Sequence, residues 1–182
     1  MNKVSNTHIC IYFWSAAVFL LGFSEVVNAQ SYAKGKYSRI MWNYLEELSE
    51  FGPRYVGTKG YDRTLRLIRN VGTEFADEVL EHPFFVTQHG GGQRQMVNIE
   101  FVFHGNVEGR PILLGAHYDT RPFADQESDP RLRAHPIIGS NDGGSGTSVL
   151  LGLAQYLKEY PVNQPVRLMF FDGEDFGQSG TG

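Results

Sequence analysis

Apolar positions recur every three or four residues in three stretches of the chain, which is the pattern of amphipathic helices. The spacing predicts helices over residues 36–51, 61–77 and 144–159. Gly52 and Pro53 follow the first helix and are typical of a helix end. In the third stretch, five residues are predicted to face the core: Val149, Leu150, Leu153, Ala154 and Leu157.

Four shorter stretches predict strands at residues 78–88, 95–103, 111–116 and 166–171, and the first of them is rich in β-branched and aromatic residues. Pro83 lacks a ladder donor, so it predicts that the first strand lies at a sheet edge. The last two strands are continuous apolar runs, which is typical of strands buried on both faces in the centre of an α/β sheet. A helix separates these two strands, so we expect a parallel pair with a right-handed crossover.

Helices and strands alternate along the sequence, which predicts an α/β fold. The 182 residues are enough for one domain, and a hydrophobic fraction of 41% indicates a packed core rather than disorder. Asp and Glu number 20 against 16 for Lys and Arg, which gives a net charge of −4. A protein with this charge lacks the basic surface that nucleic acid requires, so we expect no nucleic-acid partner.

The N-terminus carries an apolar run over residues 9–23, which is too short to cross a membrane comfortably and is typical of a signal peptide. Val27 and Ala29 supply small side chains before a cleavage site. We therefore expect residues 1–29 to be a signal peptide, cleaved after Ala29, and residues 30–182 to be exported to the periplasm or the cell exterior. An uncleaved N-terminal anchor is the alternative.

Cleavage would also remove Cys10, which is the one cysteine of the sequence. Disulfides, cysteine ligands to zinc and a cysteine nucleophile are therefore not expected in the exported protein. We expect no stable membrane insertion once the signal peptide is gone.

Side chains that can bind metal or move protons follow the two apolar strands and precede the last helix. His117 and Asp119 come after the first of these strands, Asp142 precedes the helix, and Glu174 and Asp175 come after the second strand. Sites in open α/β sheets form beyond the carboxyl ends of the strands, so we expect these residues to lie together. Several carboxylates at one point repel each other unless a cation is present, and imidazole with carboxylate oxygens suits zinc.

The spacing of these residues indicates which chemical role each of them can have. His117 and Asp119 point to the same side of an extended backbone. We therefore expect Asp119 to accept the imidazole proton and to orient the ring, as a carboxylate beside a metal-bound His usually does. Glu174 and Asp175 are neighbours and point in different directions. One of them can bind metal while the other moves protons.

Three segments resemble the zinc aminopeptidase and glutaminyl cyclase family of peptidases, clan MH: GAHYDTRP at residues 115–122, GSNDGGSG at 139–146 and FFDGEDFG at 170–177. Residues 121–125 and the Glu174–Asp175 pair are most similar to bacterial homologues of the animal-type glutaminyl-peptide cyclotransferases. The resemblance implies a three-layer, phosphorylase/hydrolase-like sandwich, with a mixed and mainly parallel sheet and helices on both faces. It also implies that the substrates are the N-termini of peptides or proteins.

The resemblance implies that Asp142 and Asp175 bind zinc and that Glu174 is the general base. It implies a zinc-binding role for His117 only in two-zinc aminopeptidases, because the matching His of the one-zinc cyclases is not a ligand. The expected function is therefore a zinc-dependent cyclase that converts N-terminal Gln to pyroglutamate and releases ammonia. The alternative is a zinc aminopeptidase that hydrolyses N-terminal residues.

A further alternative is an inactive truncated fragment. The family carries another Asp and a metal-binding His downstream, beyond the 182 residues of this sequence. We accordingly expect residues 30–182 to be the N-terminal portion of one catalytic domain. In such a portion we expect the last strand to lack a neighbour and to expose an unpaired edge.

Overall fold

The computed structural model describes residues 35–87 and 92–176. All seven predicted helices and strands are present among them, with ends that differ from the predicted ones by at most two residues. The helices are α1 (residues 35–50), α2 (Lys59–Phe75) and α3 (Gly144–Glu159). The strands are β1 (Glu78–Thr87), β2 (Gln93–Phe103), β3 (Ile112–His117) and β4 (Val166–Phe171). The predicted signal peptide and its cleavage site lie outside the described residues.

Ile40–Gly182 forms one compact unit, whereas residues 35–39 of α1 belong to another. Within the described residues, no helix combines the length and the apolar character needed to cross a membrane.

A threonine hydroxyl caps the start of helix α2. The Thr58 hydroxyl accepts a hydrogen bond from the backbone N–H of Tyr61 at 3.1 Å, which satisfies one of the free donors of the first turn. Asp62 adds a negative charge in that turn, where it interacts favourably with the positive end of the helix dipole. The cap fixes where α2 starts, after the connection of residues 51–58 that follows α1.

The four strands form one sheet in the order β1-β2-β4-β3. Strand β2 pairs antiparallel with both β1 and β4, and β3 pairs parallel with β4. The predicted mixed α/β fold is confirmed, as is the parallel pairing of the two strands that flank α3. Strand β1 lies at an edge, as Pro83 predicted. Two of the three described pairings are antiparallel, since the parallel part of the sheet within these residues consists of β3 and β4.

Of the last two strands, β4 is central as its apolar run predicted, whereas the position predicted for β3 and the expected unpaired edge of β4 were wrong. Strand β4 does not lie at an unpaired edge, because it inserts between β2 and β3. Strand β3, which was predicted to be central and buried on both faces, is the second edge strand of the described sheet. It pairs with β4 alone, and so Ile112, Leu113 and Leu114 are 44%, 59% and 40% exposed.

The hydrophobic core lies on one face of the sheet, where alternate residues of β2 and β4 meet all three helices. The rings of Phe101 and Phe170 form its centre, with centroids 4.7 Å apart. Burial of a large apolar side chain contributes about 1.5–3 kcal/mol, so this cluster dominates the stability. Its buried members include Leu48, Leu65, Ile68, Val71, Val97, Ile99, Phe101, Phe103, Leu150, Leu151, Ala154, Leu157, Val166, Leu168 and Phe170.

The inward face of α3 differs from the predicted one at one position. Val149 is 47% exposed, whereas Leu151, which was not predicted to face inward, is fully buried. Residues that are two positions apart in a helix point about 200° away from each other, so Val149 and Leu151 cannot share a face. Because all three described helices share one core cluster, the predicted helices on the second face of the sheet are not among the described residues.

Gly72 of α2 provides a test of the packing between this helix and the sheet. Replacing a helical glycine with alanine ordinarily stabilises a protein by about 1 kcal/mol. Here the added Cβ would lie 2.4 Å from Cε1 of Phe101 and 2.8 Å from Cγ2 of Val79. We expect the overpacking to exceed the propensity gain, so that Gly72→Ala lowers the free energy of unfolding by about 1–2 kcal/mol in urea denaturation.

Gly109→Ala is the matched control for this variant, because a Cβ at Gly109 would meet no heavy atom within 4 Å. Its free energy of unfolding should stay within about 0.5 kcal/mol of that of the parent. A Gly72→Ala protein as stable as the parent would contradict the packing argument.

Candidate metal centre

The carboxyl ends of β3 and β4 lie side by side and bring the predicted site residues to one edge of the sheet. His117, the last residue of β3, is in register with Phe171, the last residue of β4. The next hydrogen bond runs from the Tyr118 N–H to the Phe171 carbonyl at 2.9 Å. The segments that begin at Tyr118 and Asp172 therefore leave the sheet at neighbouring points.

His117 lies at the centre of the cluster. Its Nε2 atom is 3.1 Å from Oδ1 of Asp142. Its Nδ1 atom lies 3.4 Å from Oδ1 of Asp119 and 3.9 Å from Oε2 of Glu174. Nδ1 is buried and makes no hydrogen bond to any described residue. Asp119 thus approaches the ring as predicted, but at an ion-pair distance rather than in a formed hydrogen bond.

Asp119 has a further role that the sequence analysis missed. Its side chain is buried and accepts two backbone hydrogen bonds, from the N–H of Glu174 at 3.2 Å and from that of Asp175 at 2.9 Å. Gly173 precedes them with φ 76°, a left-handed conformation that favours glycine. Two successive N–H groups then converge on one carboxylate. Asp119 therefore holds the segment that carries Glu174 and Asp175.

Gly143 allows Asp142 to approach His117. Its φ is 77°, and a Cβ there would lie 2.7 Å from the Asp119 carbonyl oxygen and 3.1 Å from Cε1 of His117. No larger residue fits between these groups without displacing them. The Asp142 side chain itself is 68% exposed and so is accessible to a cation or a substrate.

Asp175 is buried beside a cation that the sequence analysis gave no role. Nη1 of Arg121 lies 3.9 Å from Oδ1 of Asp175. The Arg121 guanidinium is held by two 2.9 Å hydrogen bonds to the carboxylate of Asp125. Residues 121–125 are not helical, so the spacing of four residues between Arg121 and Asp125 gave no signal for this pair.

The electrostatics of the cluster favour bound protons when no cation is present. Burial, followed by the charge of Asp142, raises the pKa of Asp175 to about 6. Asp119 chiefly raises the pKa of His117 to about 9, against burial, which lowers it. A divalent cation binds deprotonated ligands, so it would displace these protons.

The donor atoms fit a divalent cation such as zinc. One ligand atom each from His117, Glu174 and Asp175 lies within 4.8 Å of the others. Imidazole nitrogen with carboxylate oxygens is a ligand set that zinc accepts, and the unpartnered Nδ1 of His117 is consistent with such a role. This group includes Glu174, the predicted base, whereas Asp142 lies at the other ring nitrogen. The individual roles of Asp142, Asp175, Glu174, His117 and Asp119 stay predictions.

Residues 98–181 match the family model described as Peptidase family M28. The chain is similar to the solved structure of Tannerella forsythia glutaminyl cyclase, with 30% identity and a TM-score of 0.71, over 77% of this protein and 48% of that one. It is also similar to a Zn-dependent exopeptidase from Parabacteroides distasonis, with 26% identity, a TM-score of 0.70, and coverage of 79% and 49%.

Among curated proteins, the chain is 26% identical to Aminopeptidase YwaD of Bacillus subtilis over 162 residues, which make up 87% of this protein and 31% of that one. It therefore spans about half the length of the two solved structures and about a third of this curated relative. The predicted resemblance to the peptidase family that contains aminopeptidases and glutaminyl cyclases is confirmed, together with its α/β fold.

The raised pKa of His117 predicts a pH-dependent stability of the cation-free protein. The folded state holds the imidazole proton more tightly than the unfolded state, with a pKa of about 9 against an ordinary 6.5. The resulting stabilisation is complete below pH 6.5 and is lost as the pH rises through 9. We expect a loss on the order of 1–3 kcal/mol across this range, measured by urea denaturation in the presence of a chelator.

His117→Gln should flatten this part of the profile, whereas His135→Gln, a change at an exposed histidine of the long loop (residues 118–143, between β3 and α3), should leave it unchanged. Parallel profiles for the parent and His117→Gln would show that the imidazole does not hold the proton.

Proposed function

From the confirmed similarity to peptidase family M28, we propose that the protein to which these residues belong is a zinc-dependent glutaminyl-peptide cyclotransferase. It would convert the N-terminal Gln of peptides or proteins to pyroglutamate with release of ammonia. The observation that carries the proposal is the convergence of Asp142, Glu174 and Asp175 around His117 at the edge formed by β3 and β4. The similarity to a glutaminyl cyclase at 30% identity supports the choice of reaction.

In this proposal Asp142 and Asp175 bind one zinc ion, and a ligand from beyond the described residues completes the set. Zinc, when bound, supplies Lewis-acid chemistry, because it polarises carbonyl groups and acidifies water. Asp119 keeps the segment of Glu174 and Asp175 in place through its two backbone hydrogen bonds. The ligands would therefore be preorganised before the cation arrives.

Glu174 is the proposed base. Its side chain is 61% exposed, so it can reach a bound substrate. It would take a proton from the α-amino group of the substrate as the amine nitrogen attacks the δ-carbonyl carbon of the Gln and forms the ring bond. The same carboxyl would return the proton to the δ-amide nitrogen as the bond between that nitrogen and the δ-carbon breaks and ammonia leaves. One group then serves as both base and acid, so no net proton is lost.

His117 separates the cyclase proposal from a second candidate, a zinc aminopeptidase. In the cyclase, His117 would stay outside the ligand set, where its Nε2 could hold Asp142 at the observed 3.1 Å. In the aminopeptidase, His117 would bind a second zinc ion, Asp142 would bridge both ions, and Glu174 would deprotonate the attacking water. The grouping of His117 with Glu174 and Asp175, together with the similarity to a Zn-dependent exopeptidase, favours keeping this second candidate.

We further propose that residues 1–29 are a signal peptide and that residues 30–182 form the N-terminal portion of one exported catalytic domain. The apolar run at residues 9–23 and the small residues before the cleavage site support export.

Two substrates distinguish the candidate reactions. The full-length protein loaded with zinc would be incubated with a peptide that begins with Gln and, separately, with a chromogenic aminoacyl amide. We expect the peptide to lose about 17 Da by mass spectrometry, the mass of ammonia, with its backbone intact, and the chromogenic amide to stay uncleaved. Cleavage of the aminoacyl amide without loss of ammonia from the Gln peptide would replace the cyclase with the aminopeptidase.

The role of Glu174 predicts how activity and metal content separate. Glu174→Gln keeps the size of the side chain but removes the base, so we expect kcat to fall by about 10²–10⁴-fold. Zinc content, measured by atomic absorption, should change little if Asp142 and Asp175 hold the ion.

Glu127→Gln changes the same residue type in the exposed long loop and is the matched control, with the activity of the parent expected. Loss of zinc from Glu174→Gln would mean that Glu174 is a ligand, as its grouping with His117 and Asp175 allows. Parent-like turnover would exclude it as the base.

A further inference from the structure

Arg54 is fully buried between α1 and α2, and its side chain reaches into the loops around the metal centre. Nε donates a hydrogen bond to the Tyr118 carbonyl at 2.9 Å. Nη1 donates to the Ile138 carbonyl at 2.6 Å, and Nη2 donates to the Gly139 carbonyl at 2.7 Å. A longer bond of 3.3 Å joins Nη1 to the Leu48 carbonyl at the end of α1. One guanidinium therefore joins three separate segments of the protein.

The segments that Arg54 joins are those that carry two of the predicted site residues. Tyr118 directly precedes Asp119, and the Arg54 N–H donates to the hydroxyl of Thr120, which directly follows it, at 2.9 Å. Gly139 precedes Asp142 by three residues, and its carbonyl also accepts the N–H of Gly144 at 3.0 Å, where α3 begins. The separation between the Asp119 segment and the Asp142 segment is thus set through Arg54.

The partners of the guanidinium are unusual for a buried cation. Within the described residues, its hydrogen bonds all go to backbone carbonyls, and no carboxylate lies within ion-pair distance of it. Burial lowers the pKa of Arg54 to about 10, although the charges of Asp119 and Asp142 oppose this. A buried charge without a paired counter-ion is costly and is retained where its geometry is needed.

We propose that Arg54 is the positioning residue of the metal centre, which fixes the Asp142 loop against the end of β3 so that the zinc ligands are preorganised. This inference rests on the proposed function, because it assumes that the centre binds zinc. Arg54 touches neither the ion nor the substrate in this proposal, and it acts through the carbonyls of Tyr118, Ile138 and Gly139.

Arginine suits this task better than lysine for a geometric reason. Its planar guanidinium directs N–H groups outward in a rigid fork, so it can bond carbonyls from several segments at once. A lysine ammonium places all its donors on one atom and cannot span the same carbonyls. Arg54→Lys therefore keeps the charge and removes the geometry.

Zinc affinity of the full-length protein tests the proposal, measured by competition with a chromogenic chelator at a temperature where each variant is folded. We expect Arg54→Lys to weaken zinc binding by about tenfold or more. Gly139→Ala displaces the Asp142 loop itself, because the φ of Gly139 is 63° and its Cβ would lie 2.4 Å from Cγ2 of Thr120, 2.7 Å from the Asp142 carbonyl oxygen and 3.0 Å from Nη2 of Arg54. It should weaken zinc binding similarly, and the double variant should lose no more than the larger single loss.

Leu157→Ala is the control for stability alone, since Leu157 is a buried core residue near the C-terminal end of α3, outside the hydrogen-bond network of the site. It should lower the thermal midpoint without changing zinc affinity. If Arg54→Lys does not fold, Gly139→Ala tests whether the position of the Asp142 loop sets zinc affinity, and parent-like affinity in that variant overturns the proposal.

Failure of the inference and failure of the proposed function give different results. A parent protein that binds no zinc overturns both. A parent that binds zinc, with Arg54→Lys and Gly139→Ala binding it equally well, overturns the positioning role and leaves the function intact. A loss of affinity in Leu157→Ala as large as that in Arg54→Lys would reduce Arg54 to a general contributor to stability.

Discussion

The repulsion between carboxylates gathered at one sheet edge is the constraint on which the rest of this site depends. Asp119, Asp142, Glu174 and Asp175 all influence or contact a single imidazole, that of His117. Such a cluster costs free energy in a folded protein unless protons or a cation offset the charge. The parallel pairing of β3 and β4 brings these groups together, and the core beneath the sheet keeps them there.

The backbone solvates both kinds of charge around the site. The Asp119 carboxylate receives the N–H groups of Glu174 and Asp175, whereas the Arg54 guanidinium gives its hydrogen bonds to carbonyls. These bonds help to satisfy both buried charges, beside the ion pair of Asp119 with His117, and each one also fixes a loop. Negative and positive side chains are thus used in the same way, to hold irregular backbone where no helix or strand can.

The sequence was sufficient to predict what depends on local pattern. The pattern of apolar residues located the helices and strands of residues 35–87 and 92–176, and the polar residues after two apolar strands indicated the edge where the site lies. The sequence could not predict the strand order, because an apolar run is compatible with both a central strand and an edge strand. That is why β3 was expected at the centre although it lies at an edge of the described sheet, and why β4, which is central as its apolar run predicted, was also expected to expose an unpaired edge.

The sequence also could not predict contacts between segments that are distant along the chain. The bonds of Arg54 join residues separated by up to 85 positions, and they end on carbonyls, which carry no residue-specific signal. The second role of Asp119 was missed for the same reason, since its partners are backbone N–H groups. The positive φ of Gly173 permits that contact, but a glycine in a loop is too common to reveal it from the sequence.

The anchoring of the Glu174–Asp175 segment by backbone atoms has an evolutionary consequence. Since Asp119 accepts hydrogen bonds from the backbone and not from the side chains, replacing Glu174 or Asp175 leaves these hydrogen bonds unchanged. The side chains of Glu174 and Asp175 can therefore change during evolution while the backbone of their segment keeps its position. Substitution of Asp119 or Gly173, by contrast, would release the segment and displace both acids together.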